Sequence, residues 1–309
     1  MDDILLSQHL RARGLDKTEI DRLLRDGGLE RLRRGAFARP GSTDELAEER
    51  HRRLILSTKP YLDDAAVVSH GSAAVLLGLP AWPEAIRRVH VTRNRKYGGQ
   101  RRRLVHVHVA TIGHPDVTTV DGIRLTSMVR TVLDLGRTLP LLQSVPVGDQ
   151  ALRTGLTAEE LQRGLLGMDH WPGVRRARLM CDLLDARSES VGESASRVRI
   201  VEQGLPSPEL QAQIFDAQGR LIGRCDFGWR RQRTVGEFDG KIKYGRALNP
   251  GQSIDEVLYA EKLREDALRD AGWQVVRWGW SELSRPEVIR DRLLRAFARG
   301  SAASTAWPG

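Results

Sequence analysis

The sequence predicts a mixed α+β and α/β protein with a small helical head, a mixed middle domain and a C-terminal domain ordered αβββαβ. Three observations carry that prediction. The chain has 309 residues, too long for one ordinary domain. Apolar residues make up 40% of it, enough to bury cores, against 29% charged. Apolar runs at helical and at strand spacing share the chain, with glycine and proline marking turns between them.

Lys and Arg outnumber Asp and Glu by 49 to 40, a formal charge of +9. That surplus makes a polyanion, nucleic acid above all, the first partner to consider. The start MDDILLSQHL has neither the basic region nor the apolar core of a secretory signal. No run approaches the roughly 18 apolar residues of a membrane span. Two cysteines, Cys181 and Cys225, exclude a disulfide framework and a four-thiolate zinc site. The expected location is the cytoplasm, with no membrane partner.

Residues 1–41 read as one compact unit. Ile4, Leu5, Leu6 and Leu10 form a helical stripe that Gly14 ends. Asp16 stands three residues before Glu19, a capping-box start, and Ile20, Leu23 and Leu24 continue a second helix to Gly27. Two short extended pieces follow around Gly35. Helix, turn, helix and basic hairpin is the layout of a winged helix. Phosphates flank the groove that such a unit enters, so cations belong on its second helix and hairpin. Lys17, Thr18, Arg22, Arg25, Arg31, Arg33 and Arg34 meet that need. The competing reading is a helical hairpin whose arginines form a solvated face.

Residues 42–187 read as a mixed domain. Leu46 to Leu56 is a charged amphipathic helix, and a second helix surrounds Ser72 to Leu77. Arg88–Arg93 and Leu104–Val109 look like two strands of a hairpin turning at Tyr97-Gly98-Gly99. Arg87, Arg88, Arg93, Arg95, Lys96, Arg101, Arg102 and Arg103 surround it with no acid between. The stretch reads as a phosphate-tracking arm or as a solubilising loop; the first makes Arg93, Arg95, Lys96, Arg101, Arg102 and Arg103 contact candidates. His106 and His108 share one face of their strand, which invites a metal, but no third ligand stands at a recognisable spacing, so a plain histidine pair is expected. Helices follow over Thr126–Leu135, Asp149–Leu152 and Thr157–Leu165, the last opened by the cap signal Thr157-x-x-Glu160. A helix from about Arg175 to Ala186 meets Ser188-Glu189-Ser190, the expected domain boundary.

Residues 188–299 carry the chemistry. A helix over Glu193–Glu202 is followed by strands at Leu210–Phe215, Leu221–Trp229 and Thr234–Asp239, a helix over Ser253–Ala271 and a strand at Gln274–Trp278. Asp226 lies on the second strand. On the third, period-2 alternation puts Glu237, Asp239 and Lys241 on one face. Clustered carboxylates repel, and a divalent cation relieves them. Mg²⁺ takes hard oxygen ligands and keeps waters, one of which can attack phosphorus. A lysine beside it can steady the charge that develops. Residues 300–309 are small and polar, an expected disordered tail.

At these residues the chain resembles the PD-(D/E)XK nuclease superfamily, especially its very-short-patch-repair-like endonuclease domains. The resemblance rests on Gly192-Glu193-Ser194, Gly204-Leu205-Pro206, Cys225-Asp226-Phe227, the run Glu237 to Gly245, Glu261 to Asp266 and Gly272 to Trp278. It implies a restriction-endonuclease-like domain using Mg²⁺ or Mn²⁺. Asp226 would be a metal ligand, Glu237 or Asp239 its acidic partner, Lys241 the lysine and Glu193 an accessory carboxylate. Which of Glu237 and Asp239 leads the motif stays open, as does Lys243 in place of Lys241. Lys262, Arg264 or Asp266 could support the site.

The N-terminal half resembles the AbiEi-type antitoxin and transcriptional-regulator family. The resemblance rests on Leu15 to Ile20, Leu32 to Gly41, Ser69 to Ala74 and Thr126 to Leu135. It implies operator DNA binding by the winged helix and a nucleotidyltransferase-type toxin as partner; the oligomeric state stays open, with a palindromic operator favouring a homodimer. Two functions therefore stand side by side: a DNA-binding endonuclease, and a non-catalytic regulator or antitoxin built on a retired nuclease fold.

Overall fold

The structure, a computed structural model, describes residues 4–42, 44–95, 97–240 and 254–305. Its contacts divide the chain into two units, 1–139 with 155–178 and 140–154 with 179–309. Residues 1–41 and most of 42–187 lie in the first unit, and 188–299 in the second. No described helix is long and apolar enough to cross a membrane.

The first unit opens with β1 (Leu5–Leu6), α1 (Ser7–Ala12), α2 (Lys17–Arg25), β2 (Glu30–Arg33) and β3 (Ala36–Ala38). The strands form a sheet in the order β1-β3-β2. The expected first helix thus begins only at Ser7, because Leu5 pairs with Phe37 as a strand. Asp16 and Glu19 close the expected capping box: Glu19 N donates to Asp16 Oδ1 at 2.8 Å and Asp16 N to Glu19 Oε2 at 3.1 Å. Leu10, Ile20, Leu29 and Phe37 make the small core. Helix α3 (Ala47–Thr58) sends buried Arg53 to Glu30, Glu45 and the Arg39 carbonyl.

The rest of this unit is a six-stranded sheet with helices. The strands are β4 (Ala66–Val68), β5 (Val89–Arg93), β6 (Gln100–Arg101), β7 (Val105–Val109), β8 (Val117–Val120) and β9 (Ile123–Thr126), in the order β6-β7-β5-β4-β9-β8. The helices are α4 (His70–Leu76), α5 (Met128–Thr138), α7 (Ala158–Leu166) and the start of α8 (Val174–Leu183); α6 (Leu141–Arg153) belongs to the second unit. The expected hairpin of β5 and β7 is corrected. The two strands run parallel, with Val89 beside Val105 and Val91 beside Val107, while β6 is the antiparallel partner of β7. That register puts Val89, Val91 and Val107 into one core with Ile55 and Leu125. The basic stretch after β5 is therefore a crossover to the sheet edge, not a hairpin tip.

In the second unit, α6 and α9 (Val191–Glu202) precede β10 (Glu209–Phe215), β11 (Leu221–Trp229) and β12 (Thr234–Phe238). Helix α10 (Ile254–Asp270), β13 (Gln274–Trp278), α11 (Trp280–Leu283) and α12 (Pro286–Thr305) follow. The sheet order is β10-β11-β12-β13; the first three strands are antiparallel and β12 and β13 parallel. From α9 to β13 the elements keep the expected order of helix, three strands, helix and strand. One sheet face buries Phe227, Trp229, Phe238 and Trp278 with Ile200, Ile289 and Leu293. The other buries Ala212, Ile214, Cys225 and Val235 against Leu268 and Trp273.

Two glycines permit this packing. A Cβ at Gly192 would collide with the Phe238 ring, so the missing side chain lets α9 pack close against the sheet at that point. Gly192→Ala is expected to lower stability by about 1–3 kcal/mol through overpacking, read as an earlier urea midpoint by tryptophan fluorescence. Gly300, expected to open a disordered tail, is instead buried inside α12, where the missing side chain lets the helix lie on the Gln232 carbonyl. The helix runs on through Thr305, and residues 306–309, Trp307 among them, lie outside the described residues.

Candidate functional site

Three places bring chemistry-bearing residues together. The first is a cleft of about 830 Å³ in the first unit. Arg31, Arg33 and Arg34 line it from the β2–β3 hairpin, and Arg93, Arg95, Arg102 and Arg103 from the region between β5 and β7. Two basic segments about sixty residues apart in sequence thus face one space. Gly35, at φ +81°, makes the hairpin turn, and its carbonyl accepts from Tyr61 Oη at 3.3 Å. The Arg33 guanidinium lies 4.0 Å from the Tyr61 ring centroid, which holds it at the rim. Arg93 pairs with Asp63 at 2.8 Å, and Arg31 lies 3.6 Å from Asp21. Among the described residues, Arg34, Arg95, Arg102 and Arg103 make no ion pair with an acid. Valines 91, 105 and 107 contribute apolar wall. Guanidinium groups massed on such a wall suit phosphate, which they can bind in a bidentate manner.

The other nucleic-acid candidates lie outside this cleft. Lys17, Thr18, Arg22 and Arg25 are exposed on α2, with Arg22 3.4 Å from Asp26. Arg101 is exposed on β6, its Nε 3.4 Å from His106 Nε2. Lys96 lies outside the described residues.

The second place is the set of acids on β11 and β12 with the residues around them. Asp226 is half-buried, and its Oδ2 accepts from Phe238 N at 2.8 Å. Both oxygens of Glu237 are bridged by cations: Arg264 reaches Oε1 at 2.5 Å and Arg277 reaches Oε2 at 2.9 Å. Glu261 binds the same two arginines, at 2.7 Å for Arg264, and Glu265 lies 3.3 Å from Arg277. Burial pushes the Glu261 carboxyl up, but the two arginines hold it below its ordinary range. Hydrogen bonding to Glu261 first, then the Glu237 charge, raises the Arg264 guanidinium against the opposing effect of burial. Cys225, beneath them, is pushed up to about 12 by burial and by Glu237, so its thiol stays protonated. Asp239 is half-buried where its N–H donates to the Trp278 carbonyl at 2.8 Å.

Glu193 is buried and spent on local hydrogen bonds. It accepts from Glu189 N, Ser190 Oγ and Gln211 Nε2, each at 2.8 Å. Lys241 and Lys243 lie outside the described residues. The structure therefore brings Asp226 and Glu237 onto adjoining strands and gathers Arg264 and Arg277 on Glu237. Arg264 was within reach of the sequence as possible site support. Arg277 had no local signal, because it meets Glu237 only through the parallel β12–β13 register.

The third place is a histidine cluster. His70, His90 and His108 have ligand atoms within 4.8 Å of one another, and they are the one such group of metal-capable side chains among the described residues. They could hold a metal ion. The parallel register sets His90 beside His106 and Thr92 beside His108. His90 Nδ1 lies 2.9 Å from His108 Nε2, and the His70 and His108 rings stack with centroids 3.7 Å apart. Burial holds His90 down to about 3 and lowers His70, His106 and His108 as well, with neighbouring histidines adding to three of the four shifts. All four imidazoles are thus neutral, the form that binds a metal. The plain histidine pair expected from sequence becomes part of a four-ring cluster, its further members supplied by other elements.

No family model matches the chain. Two uncharacterized proteins of Mycobacterium tuberculosis, from strains H37Rv and CDC 1551, are each 26% identical to it over 297 residues, covering 94% of this chain and all of theirs. The crystal structure of the RV2827C protein from Mycobacterium tuberculosis aligns over 69% of this chain and 83% of its own, at 16% identity and a TM-score of 0.40.

Proposed function

We propose that the chain is a DNA-binding protein that grips the phosphate backbone in the arginine cleft of its first unit and carries an endonuclease-like domain as its second. The observation that carries DNA binding is the convergence of Arg31, Arg33 and Arg34 with Arg93, Arg95, Arg102 and Arg103 on one cleft. A single basic segment has a solvated face as its ordinary explanation. Two distant segments massed on the same walls leave a repulsion that a polyanion relieves. Two helices and the sheet β1-β3-β2 support the winged-helix reading of residues 1–41. Its hairpin would then be the part that reaches the backbone.

The cutting function rests on less. The order β10-β11-β12-β13, with Asp226 and Glu237 on adjoining strands, supports a phosphodiesterase site of the PD-(D/E)XK kind. Mg²⁺ or Mn²⁺ would supply an activated water there, held by Asp226, Glu237 and Asp239. The carboxylates are the right donors, but Arg264 and Arg277 occupy both oxygens of Glu237, so the residues as they stand do not fit the ion. That clamp favours the second reading, a regulator or antitoxin of the AbiEi type whose nuclease-like unit binds without cutting. A nucleotidyltransferase-type toxin would be the partner in that case.

One experiment separates the readings. Supercoiled and linear DNA are incubated with the purified chain in Mg²⁺, Mn²⁺ or EDTA, and nicking and filter retention are followed together. The expected result is retention that weakens steeply with salt in any of the three media; metal-dependent nicking that Asp226→Ala abolishes without loss of retention would assign the endonuclease. Retention with no nicking under any metal would transfer the assignment to the regulator. Absence of retention at low salt would reject both.

A further inference from the structure

We propose that His70, His90 and His108 bind a divalent first-row transition metal, Zn²⁺ foremost, whose open coordination position takes an oxyanion from the cleft beside it. The site belongs to the first unit and is independent of the acids on β11 and β12. The argument begins with ligand chemistry. Three imidazoles and an open position are a recurring zinc arrangement, whereas Mg²⁺ prefers oxygen donors. Two imidazole nitrogens about 2 Å from one tetrahedral ion sit roughly 3.3 Å apart. His90 Nδ1 and His108 Nε2 already stand 2.9 Å apart, so a small opening of the pair admits an ion.

Independent features point to the same use. His70 opens α4 at φ +51°, a left-handed conformation that costs a residue with a side chain about 1 kcal/mol or more. That conformation aims a buried ring at strands β5 and β7 rather than along its own helix. Ser69 Oγ lies 3.0 Å from His70 Nδ1 and accepts from Thr92 Oγ1 at 2.8 Å, which orients the ring and leaves Nε2 as the atom it offers. Outer contacts of this type fix the tautomer and direction of metal-bound histidines.

The cleft supplies the remaining ligand. It measures about 880 Å³, and His70 and His108 line it together with Arg130, Asp134, Arg137 and Arg176. Arg130 is 2% exposed, yet its Nη2 has no hydrogen-bond partner among the described residues, and neither has Arg137 Nε. Buried guanidinium N–H groups left unpaired beside neutral imidazoles oppose a bare dication. They are satisfied when the ion carries an anion such as phosphate on its open side.

The test uses the full, untagged chain, Co²⁺ as the spectroscopic probe and inorganic phosphate as the anion. The expected result is one equivalent of Co²⁺ with a visible ligand-field band, displaced by Zn²⁺ and shifted by phosphate. His90→Ala and His108→Gln should each remove the band while circular dichroism stays that of the wild type. His114→Ala, an exposed histidine outside the cluster, should leave it intact. A wild-type chain that binds no stoichiometric Co²⁺, or a band lost equally in His114→Ala, would overturn the site. A band indifferent to phosphate would overturn the anion ligand.

Discussion

Replacing Asp134 by alanine is expected to destabilise the first unit by about 3–5 kcal/mol, the range found when one partner of a buried ion pair is removed. The carboxylate is fully buried, with Arg130 at 2% and Arg137 at 9% side-chain exposure on either side of it. Arg130 Nε donates to Oδ2 at 2.9 Å and Arg137 Nη2 to Oδ1 at 2.8 Å. Both guanidiniums also lie over the Trp171 ring, 4.7 and 4.9 Å from its centroid. Alanine would leave two buried cations facing each other with Asp116, 3.2 Å from Arg130, as the remaining acid. Asp134→Asn keeps the shape and one acceptor, so it should cost less but still exceed an ordinary hydrogen bond. Hydrogen exchange over residues 128–138 measures both. Protection unchanged in Asp134→Ala would mean that the arginines find other partners and that the carboxylate does not organise α5.

The second large effect concerns the arginine cleft. Replacing Arg33, Arg34, Arg102 and Arg103 together by alanine is expected to weaken DNA retention uniformly across sequences. The plot of log binding constant against log salt should flatten by about 3 to 4, since each lost phosphate contact removes roughly 0.9. The exposed pair Arg22→Ala with Arg25→Ala, on α2 and outside the cleft, serves as the comparison and should change the slope less. A larger change from the α2 pair would move the interface to the helix. Arg33 stacks on Tyr61, so the unfolding midpoint of the quadruple variant is measured beside its binding. Loss of binding with an unchanged salt slope would indicate damage to the fold rather than missing phosphate contacts.

These two tests probe features of different legibility. The capping boxes at Asp16/Glu19 and Thr157/Glu160 could be read from spacing alone, and both close in the structure. Likewise the strands at Leu210–Phe215 and Leu221–Trp229 could be read from sequence, and the chain turns between them where Asp216 Oδ1 accepts from Gln218 N and Arg220 N. Arg53, by contrast, looked like one more charge on an amphipathic helix, and it is buried between Glu30 and Glu45. Arg264, named from sequence only as possible site support, joins Glu261 on α10 as half of a clamp whose other half, Glu237 and Arg277, comes from β12 and β13.

By itself the sequence determined most of the helices and strands, though not α11 or α12, together with the basic character of two segments and the acids of β11 and β12. Each of these is written in residues a few positions apart, within reach of a cap, a turn or a period. Only the tertiary structure decided which segments meet. It set His90 beside His106 and His70 against His108, set Arg277 on Glu237, and brought the β2–β3 hairpin and the crossover after β5 onto one cleft. The physical reason is the same in each case. Parallel pairing and helix-on-sheet packing join residues tens of positions apart through backbone bonds and buried area that no local pattern encodes.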